Sequence, residues 1–276
     1  MNYLRKKCTQ GGTTLLLSND QEKLKQYVLT ELKHMESLSI PCCIISYNEI
    51  CDNKGDTIER TSDLNPFISI KIKDCIKDKH KEYLWMLTSC LLTLEYSRQM
   101  TDDENRKIKE VCAKLDFTKE DVSMSDLFDA LLPELSLPDQ LQRIYHKLDS
   151  TVETIKNRKD FYCESSDPTL LFYNFVYTML SLKDVYSGTR VWIYTDLLQY
   201  IQPYDNVIKF LQILLSEMDH DMFTINLMIT KDIIMPLFCS DIRFIKRLDG
   251  PDSFLRYKDY YNISLLQWKY SNVIAV

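Results

Sequence analysis

The side chains that could carry out chemistry in this sequence lie at or just after the ends of short apolar runs. They are Asp196, Lys231, Asp232 and either Tyr47 or Glu49. Continuous apolar runs of this length predict buried strands, and an open parallel sheet binds its ligands at the carboxyl ends of its strands. These side chains are therefore expected to converge there, where they would suit an enzyme that acts on a nucleotide or a nucleic acid.

No spacing in the sequence matches a familiar catalytic or metal-binding motif. There is no Gly-x-Ser-x-Gly, no His-Glu-x-x-His and no Cys-x-x-Cys, and the four histidines lie far apart. The acidic group Asp102, Asp103 and Glu104 follows Thr101, which is the pattern of a helix capping box. We therefore predict no metal site, and we interpret this acidic group as a helix start.

Composition indicates a globular protein and bears on phosphate binding. The net charge is -6, which argues against a globally basic nucleic-acid binder. The nine cysteines are scattered and odd in number, which predicts reduced thiols in the cytoplasm. Every apolar stretch is interrupted before about 18 residues, so no transmembrane segment is predicted. There are five glycines, where average usage gives about 19, so few are present to build a Gly-rich loop around phosphates.

Apolar periodicity predicts strands and helices that alternate at both ends of the chain. Near the N terminus, Thr13–Ser18 is a strand, Gln21–Met35 a helix and Cys42–Tyr47 a second strand, and Leu64–Ile72 resumes apolar alternation. In the last third, a helix is predicted to start after its N-cap Asp167 and to be apolar over Leu170–Leu182. The elements predicted after it are strand Arg190–Thr195, helix Asn206–Met218, strands Phe223–Thr230 and Ile242–Leu248, and helix Pro251–Tyr261.

This alternation predicts an α/β fold with a mainly parallel sheet and helices on both faces. The segments Lys79–Leu132 and Pro138–Arg158 have a helical pattern instead. We therefore predict three parts: residues 1–78 as the first half of the α/β core, residues 79–160 as a mostly helical insertion, and residues 161–276 as the second half of the core.

Four stretches, in their order and spacing, are similar to segments of one ATPase family. Thr189–Ile201 (TRVWIYTDLLQYI) resembles the Walker B strand of that family, which usually reads Trp-x-Tyr-Ile-Asp-Glu. The other three stretches are Thr57–Ile70, Val122–Leu132 and Asn226–Ile263. The family is that of the TraC/TrbE/CagE-type ATPases of conjugation and type IV secretion, in the RecA-like P-loop class. The resemblance covers nearly the whole chain and implies the fold of a P-loop motor.

The first nucleotide-binding segment of that family is altered here. A P-loop needs glycines so that backbone N–H groups close on the phosphates, and a lysine that meets the terminal phosphates. The corresponding link begins Ser18, Asn19, Asp20 and contains no glycine. Lys23 is the remnant of the lysine, but Leu24 follows it where a Mg²⁺-binding hydroxyl is expected. Asp20 would repel a triphosphate.

The second half of the family's site is also incomplete. In the family the Walker B Asp helps to hold Mg²⁺ and the Glu after it activates water, whereas here Leu197 follows Asp196. An Asp at the carboxyl end of a strand is more often a cap, so a cap is the favoured interpretation of Asp196 and a metal ligand the alternative. The position of the family's sensor Gln is taken by Lys231. The resemblance therefore implies no catalytic residues and no cofactor, with MgATP left open as a weak ligand.

Three functions remain open from the sequence. The first is a non-hydrolysing pseudo-ATPase that serves as an interaction or assembly component of a mobile-element transfer system. It would be cytoplasmic or peripheral to a membrane complex, with an active transfer ATPase or another copy of itself as its partner. The second is the remodelled nucleotide- or nucleic-acid-processing enzyme introduced above. The third is a DNA-binding accessory protein that would use the basic groups at Arg5–Lys7 and Lys156–Lys159.

Overall fold

The computed structural model describes residues 12–18, 20–40, 42–47, 80–115, 124–135, 139, 142–144, 160–164, 167–185, 191–217, 223–230 and 243–247. Its strands are β1 (Gly12–Leu17), β2 (Cys42–Ser46), β3 (Asp160–Glu164), β4 (Val191–Thr195), β5 (Phe223–Ile229) and β6 (Arg243–Arg247). Its helices are α1 (Gln21–Ser37), α2 (His80–Tyr96), α3 (Asp102–Lys114), α4 (Met124–Leu131), α5 (Pro168–Val185), α6 (Leu198–Ile201) and α7 (Asp205–Glu217).

The described strands form one parallel sheet in the order β3-β2-β4-β5-β1-β6. Thr195 lies opposite Ile45 of β2 and Leu227 of β5, and Ile229 lies opposite Leu17 of β1. The carboxyl ends of β2, β4, β5 and β1 therefore meet at one edge of the sheet. The prediction of an α/β fold with a mainly parallel sheet is confirmed.

Helices cover both faces of the sheet, because crossovers that run in opposite directions place their helices on opposite faces. The crossover from β1 to β2 runs one way along the sheet and carries α1, which packs on Leu16, Trp192 and Tyr194. The crossover from β4 to β5 runs the other way and carries α7. Helices α2, α5 and α7 belong to the larger apolar core with Ile45 and Ile193. The prediction of helices on both faces is confirmed.

The central strands are nearly continuous apolar runs because both of their faces are buried. Every residue of β2 and of β4 is buried. Four cysteines among the described residues are reduced thiols and are buried: Cys42, Cys43, Cys90 and Cys112. They act as small apolar core residues, as the sequence predicted for the thiols.

The helical middle of the chain begins after β2. Helix α2 packs against α3, α5 and α7, so it joins this region to the core of the sheet. The predicted capping box at the start of α3 is confirmed. The Thr101 N–H donates to Glu104 Oε2 at 2.8 Å, and the Glu104 N–H donates to Thr101 Oγ1 at 3.3 Å. This region lies between β2 and β3 in the sequence, and its exact boundaries stay a prediction.

Strand β3 was not predicted from the sequence, which placed residue 160 at the end of the helical insertion. The strand is only five residues long, reads DFYCE, and has a carboxylate at each end, so it shows almost no apolar alternation. It forms a strand because β2 lies beside it along its whole length. Of the predicted helix Pro138–Arg158, residues 139 and 142–144 are helical, and the rest lies outside the described residues. The segments Leu64–Ile72 and Pro251–Tyr261 also lie outside them.

A serine in the left-handed conformation follows each of helices α1 and α2. It is Ser39 (φ 56°) after α1 and Ser97 (φ 53°) after α2. At the end of α1 the Ile40 N–H donates to the Met35 carbonyl at 3.0 Å, which is the bond of a Schellman motif. At the end of α2 the Arg98 N–H donates to the Thr93 carbonyl at 3.2 Å in the same way. Glycine is the usual residue at this position. Within the described part of the chain, no helix is long and apolar enough to cross a membrane.

Candidate functional site

The candidate site is the carboxyl edge of the sheet, where one residue after each of four strands is described. These residues are Ser18 after β1, Tyr47 after β2, Asp196 after β4 and Thr230 after β5. Parallel pairing brings them to the same edge, as the sequence predicted for Tyr47 and Asp196. The other predicted members of the site lie outside the described residues: Asn19, Glu49, Lys231 and Asp232.

The turn after β1 is closed by its own polar groups. The Ser18 N–H donates to the Ile229 carbonyl at 3.0 Å, which ties the end of β1 to β5. The Ser18 hydroxyl donates to the Asp20 carbonyl at 2.9 Å and accepts from the Asp20 N–H at 3.0 Å. Ser18 is buried, so its hydroxyl is committed to shaping this turn.

Asp20 is the N-cap of α1. Its Oδ1 accepts from the Lys23 N–H at 3.1 Å, and the Lys23 ammonium lies 3.3 Å from its Oδ2. The hydrogen bond from the Lys23 backbone N–H, with the Lys23 side chain, lowers the pKa of the Asp20 carboxyl. The N terminus of α1 is the end of a helix that favours an anion. Here a carboxylate of the chain itself holds that place.

Asp196 joins the ends of two neighbouring strands. Its carboxylate is buried, and Oδ1 accepts from the Tyr47 N–H at 2.7 Å. The sequence left Asp196 open between a helix cap and a metal ligand, and this bond to β2 is a third role. The turn after it is fixed locally, because Thr195 Oγ1 accepts from the Leu197 N–H at 3.2 Å.

Aromatic and apolar residues lie next to Asp196 and to its partner Tyr47 in the chain. The rings of Tyr47 and Tyr200 stack, with 4.1 Å between their centroids and 22° between their planes. Leu197, at the position of the family's catalytic Glu, is 1% exposed. The stack therefore joins the residue after β2 to helix α6, and the residue after Asp196 is a buried leucine.

Gln199 is a member of the site that sequence reasoning missed. Its side chain is 6% exposed, and Oε1 accepts from the Thr230 N–H at 3.2 Å and from the Thr230 hydroxyl at 3.0 Å. It lies between Leu198 and Ile201, which are both buried. A glutamine among the apolar residues of such a short segment is the signal that could have identified it, because a buried amide needs hydrogen-bond partners.

A second buried polar cluster joins α1 to β4 on the face that α1 covers. Glu31 is 4% exposed and accepts from the Tyr194 hydroxyl at 3.0 Å. The Tyr27 hydroxyl donates to the same carboxylate. Burial, and then the Glu31 charge, raises the pKa of Tyr194, so its phenol stays protonated and donates to Glu31.

The carboxylates at the positions of the family's nucleotide site make contacts within the chain. Among the ranges described above, no three His, Cys, Asp or Glu side chains come close enough to hold a metal ion. The start of α1 is capped by Asp20, and the Asp196 carboxylate is bonded to the backbone of β2. The Asp196 bond, with the one between Thr230 and Gln199, joins the ends of neighbouring strands.

Comparison with known proteins identifies the fold. The structure is similar to that of VirB4 of Thermoanaerobacter pseudethanolicus, with a TM-score of 0.64 and 12% sequence identity over 96% of this chain and 86% of that chain. No protein-family model matches the sequence, and no curated protein matches it. At this identity the likeness shows a shared fold, which agrees with the fold that the resemblance to conjugation ATPases implied.

Proposed function

We propose that the chain is a non-hydrolysing relative of the conjugation and type IV secretion ATPases that serves as a protein-interaction or assembly component of a transfer apparatus. The VirB4 fold and the order of the four similar stretches support the relation. The observation that carries the loss of activity is the start of α1, where Asp20 takes the position of the phosphates. Its partner would be an active transfer ATPase or a second copy of the chain.

Electrostatics at the start of α1 favour this proposal. Two negative charges repel each other, so the Asp20 carboxylate would oppose a phosphate placed at the start of α1. The Asp20 carboxylate also holds the N–H of Lys23 and pairs with its ammonium. A triphosphate would have to displace both of these interactions and still face the negative charge.

The end of β4 supports the proposal independently. Water activation needs a carboxylate beside the Mg²⁺ ligand, and the buried Leu197 occupies that position. Asp196 itself is engaged with the Tyr47 N–H. Restoring hydrolysis would therefore need a base as well as a phosphate loop.

The two other functions have less support. The remodelled enzyme needs an open site at the strand ends, whereas Tyr47 is stacked on Tyr200 and Gln199 is bonded to Thr230. The basic groups of the DNA-binding hypothesis lie outside the described residues.

Calorimetric titration with MgATP and a phosphate-release assay test the proposal. We expect no saturable binding at up to millimolar nucleotide and no release above the buffer rate, with no change in Lys23→Ala or Asp196→Ala. Lys33→Ala, an exposed lysine on the same helix, is the matched control. Micromolar binding and a turnover that Lys23→Ala and Asp196→Ala abolish, but Lys33→Ala does not, would show that the proposal is wrong.

A further inference from the structure

We propose that Asp196 and Gln199 form a side-chain latch that holds the carboxyl ends of β2, β4 and β5 together without any ligand. Strand β4 lies between β2 and β5 in the sheet. The short segment 196–199 after it reaches both neighbours, through Asp196 toward β2 and through Gln199 toward β5. The inference rests on this geometry and does not depend on the proposed function.

The two halves of the latch are built in the same way. In each, a side-chain oxygen accepts the backbone N–H of the first residue after the neighbouring strand: Asp196 Oδ1 from Tyr47 at 2.7 Å, and Gln199 Oε1 from Thr230 at 3.2 Å. A strand that has just ended leaves such an N–H without a ladder partner, and a buried N–H needs one. The latch supplies that partner on both sides of β4.

Neighbouring contacts fix the geometry of the latch. The Leu197 N–H donates to Thr195 Oγ1, which sets the turn between the two latch residues. The stack of Tyr47 on Tyr200 adds a second contact on the β2 side. The Thr230 hydroxyl adds a second hydrogen bond on the β5 side, at 3.0 Å from Gln199 Oε1.

Because the two latch side chains are buried, their oxygens bond to the backbone rather than to water. Asp196 is 3% exposed and Gln199 is 6% exposed, so water competes poorly for their oxygens. The strand ends can separate to admit a ligand only if these bonds break. All the groups that form these bonds belong to the chain itself.

Backbone hydrogen exchange tests the latch. Exchange at the Tyr47 and Thr230 amides is monitored by mass spectrometry on the full chain without nucleotide. We expect Asp196→Ala to speed exchange at Tyr47 about tenfold, because the loss of one buried hydrogen bond corresponds to about that factor. Asp196→Asn keeps an acceptor oxygen and should stay within about threefold of the wild type. Gln199→Leu, of similar volume, should speed exchange at Thr230 about tenfold.

Asp205→Asn, at the exposed start of α7, is the control and should change neither amide. If Asp196→Ala does not fold, Asp196→Asn and Gln199→Leu still decide the question through Tyr47 and Thr230.

Rapid exchange at both amides in the wild type would overturn the proposal, as would slow exchange at Thr230 in Gln199→Leu. Protection of Tyr47 that is present only with added Mg²⁺ would overturn it too, because Asp196 would then be a metal ligand. The nucleotide assays play no part in this test, so the latch and the proposed function can fail separately.

Discussion

At the residue scale, the role of each carboxylate follows from the donors around it. Asp20 faces the N–H of Lys23 and caps a helix, Asp196 faces the N–H of Tyr47 and joins two strands, and Glu31 faces two phenols inside the protein. The sequence predicted that Asp20 would oppose phosphate. It could not predict the Asp196 and Gln199 bonds, because their partners lie 149 and 31 residues away along the chain.

Tyr194→Phe tests the buried cluster around Glu31. The variant removes a hydroxyl that donates to a buried carboxylate, so we expect the free energy of unfolding to fall by about 1–3 kcal/mol. Tyr96→Phe is the matched control, since the Tyr96 hydroxyl is buried and has no hydrogen-bond partner among the described residues. Urea unfolding monitored by circular dichroism gives both values. A Tyr194→Phe cost no larger than that of Tyr96→Phe would contradict the role of the cluster.

Glu104 gives a prediction of pH dependence. The Arg98 guanidinium, with the Thr101 groups, lowers the pKa of Glu104 from 4.5 to about 2. A carboxyl whose pKa is lowered on folding stabilises the fold above its ordinary pKa, and this contribution is lost as the pH falls toward the folded value. Arg98 is 43% exposed, so solvent screening limits the contribution. Glu104→Gln should lower the free energy of unfolding by about 1 kcal/mol at pH 7.

Glu110→Gln is the control for this prediction. Glu110 pairs with Arg106 at 3.0 Å on the exposed side of the same helix, and its loss should cost at most about 0.5 kcal/mol. Urea unfolding at pH 7 and at pH 3 provides the comparison. The difference between wild type and Glu104→Gln should shrink as the pH falls from 4.5 toward 2. A difference that stays constant or grows would show that the Glu104 charge is not its source.

At the scale of elements, sequence-based prediction succeeded where an apolar run was continuous and failed where it was interrupted or very short. The runs that gave β1, α1, β4, α7 and β5 match the structure to within about two residues at each end. Strand β3 was missed because a carboxylate at each end interrupts its apolar pattern, and helix α6 because four residues are too few to show a helical period. Their conformations follow from the neighbours they pack against.

Helix ends show how a chain poor in glycine closes its turns. Ser97 adopts the left-handed conformation, which costs a residue with a Cβ about 1–2 kcal/mol. Glycine avoids that cost, but its greater conformational freedom in the unfolded chain lowers the stability of the fold by about 0.5–1 kcal/mol. Ser97→Gly should therefore stabilise the protein by about 0.5–1 kcal/mol.

Thermal unfolding of Ser97→Gly, compared with that of Ser37→Gly, tests this expectation. Ser37 is the last residue of α1, where glycine should destabilise because the backbone is helical. A lower melting temperature for Ser97→Gly than for the wild type would contradict the assignment of strain to Ser97.

At the scale of the whole molecule, the alternation of strands and helices predicted the class of fold but not the order of the sheet. Strand β1 lies between β5 and β6, which come more than 200 residues later in the chain. Local periodicity contains no information on such pairings. The resemblance to a known ATPase family implied the general fold, and the similarity to VirB4 agrees with that fold.

We propose that this chain has a fold similar to that of VirB4 but binds no nucleotide at the start of α1. A ligand that binds only the folded protein stabilises it, by about 2.7 kcal/mol at 100 times its dissociation constant. The most direct test is therefore the free energy of unfolding in millimolar MgATP, compared with Mg²⁺ alone. We expect no difference between the two conditions. Stabilisation that grows with the MgATP concentration and disappears in Lys23→Ala would contradict the claim.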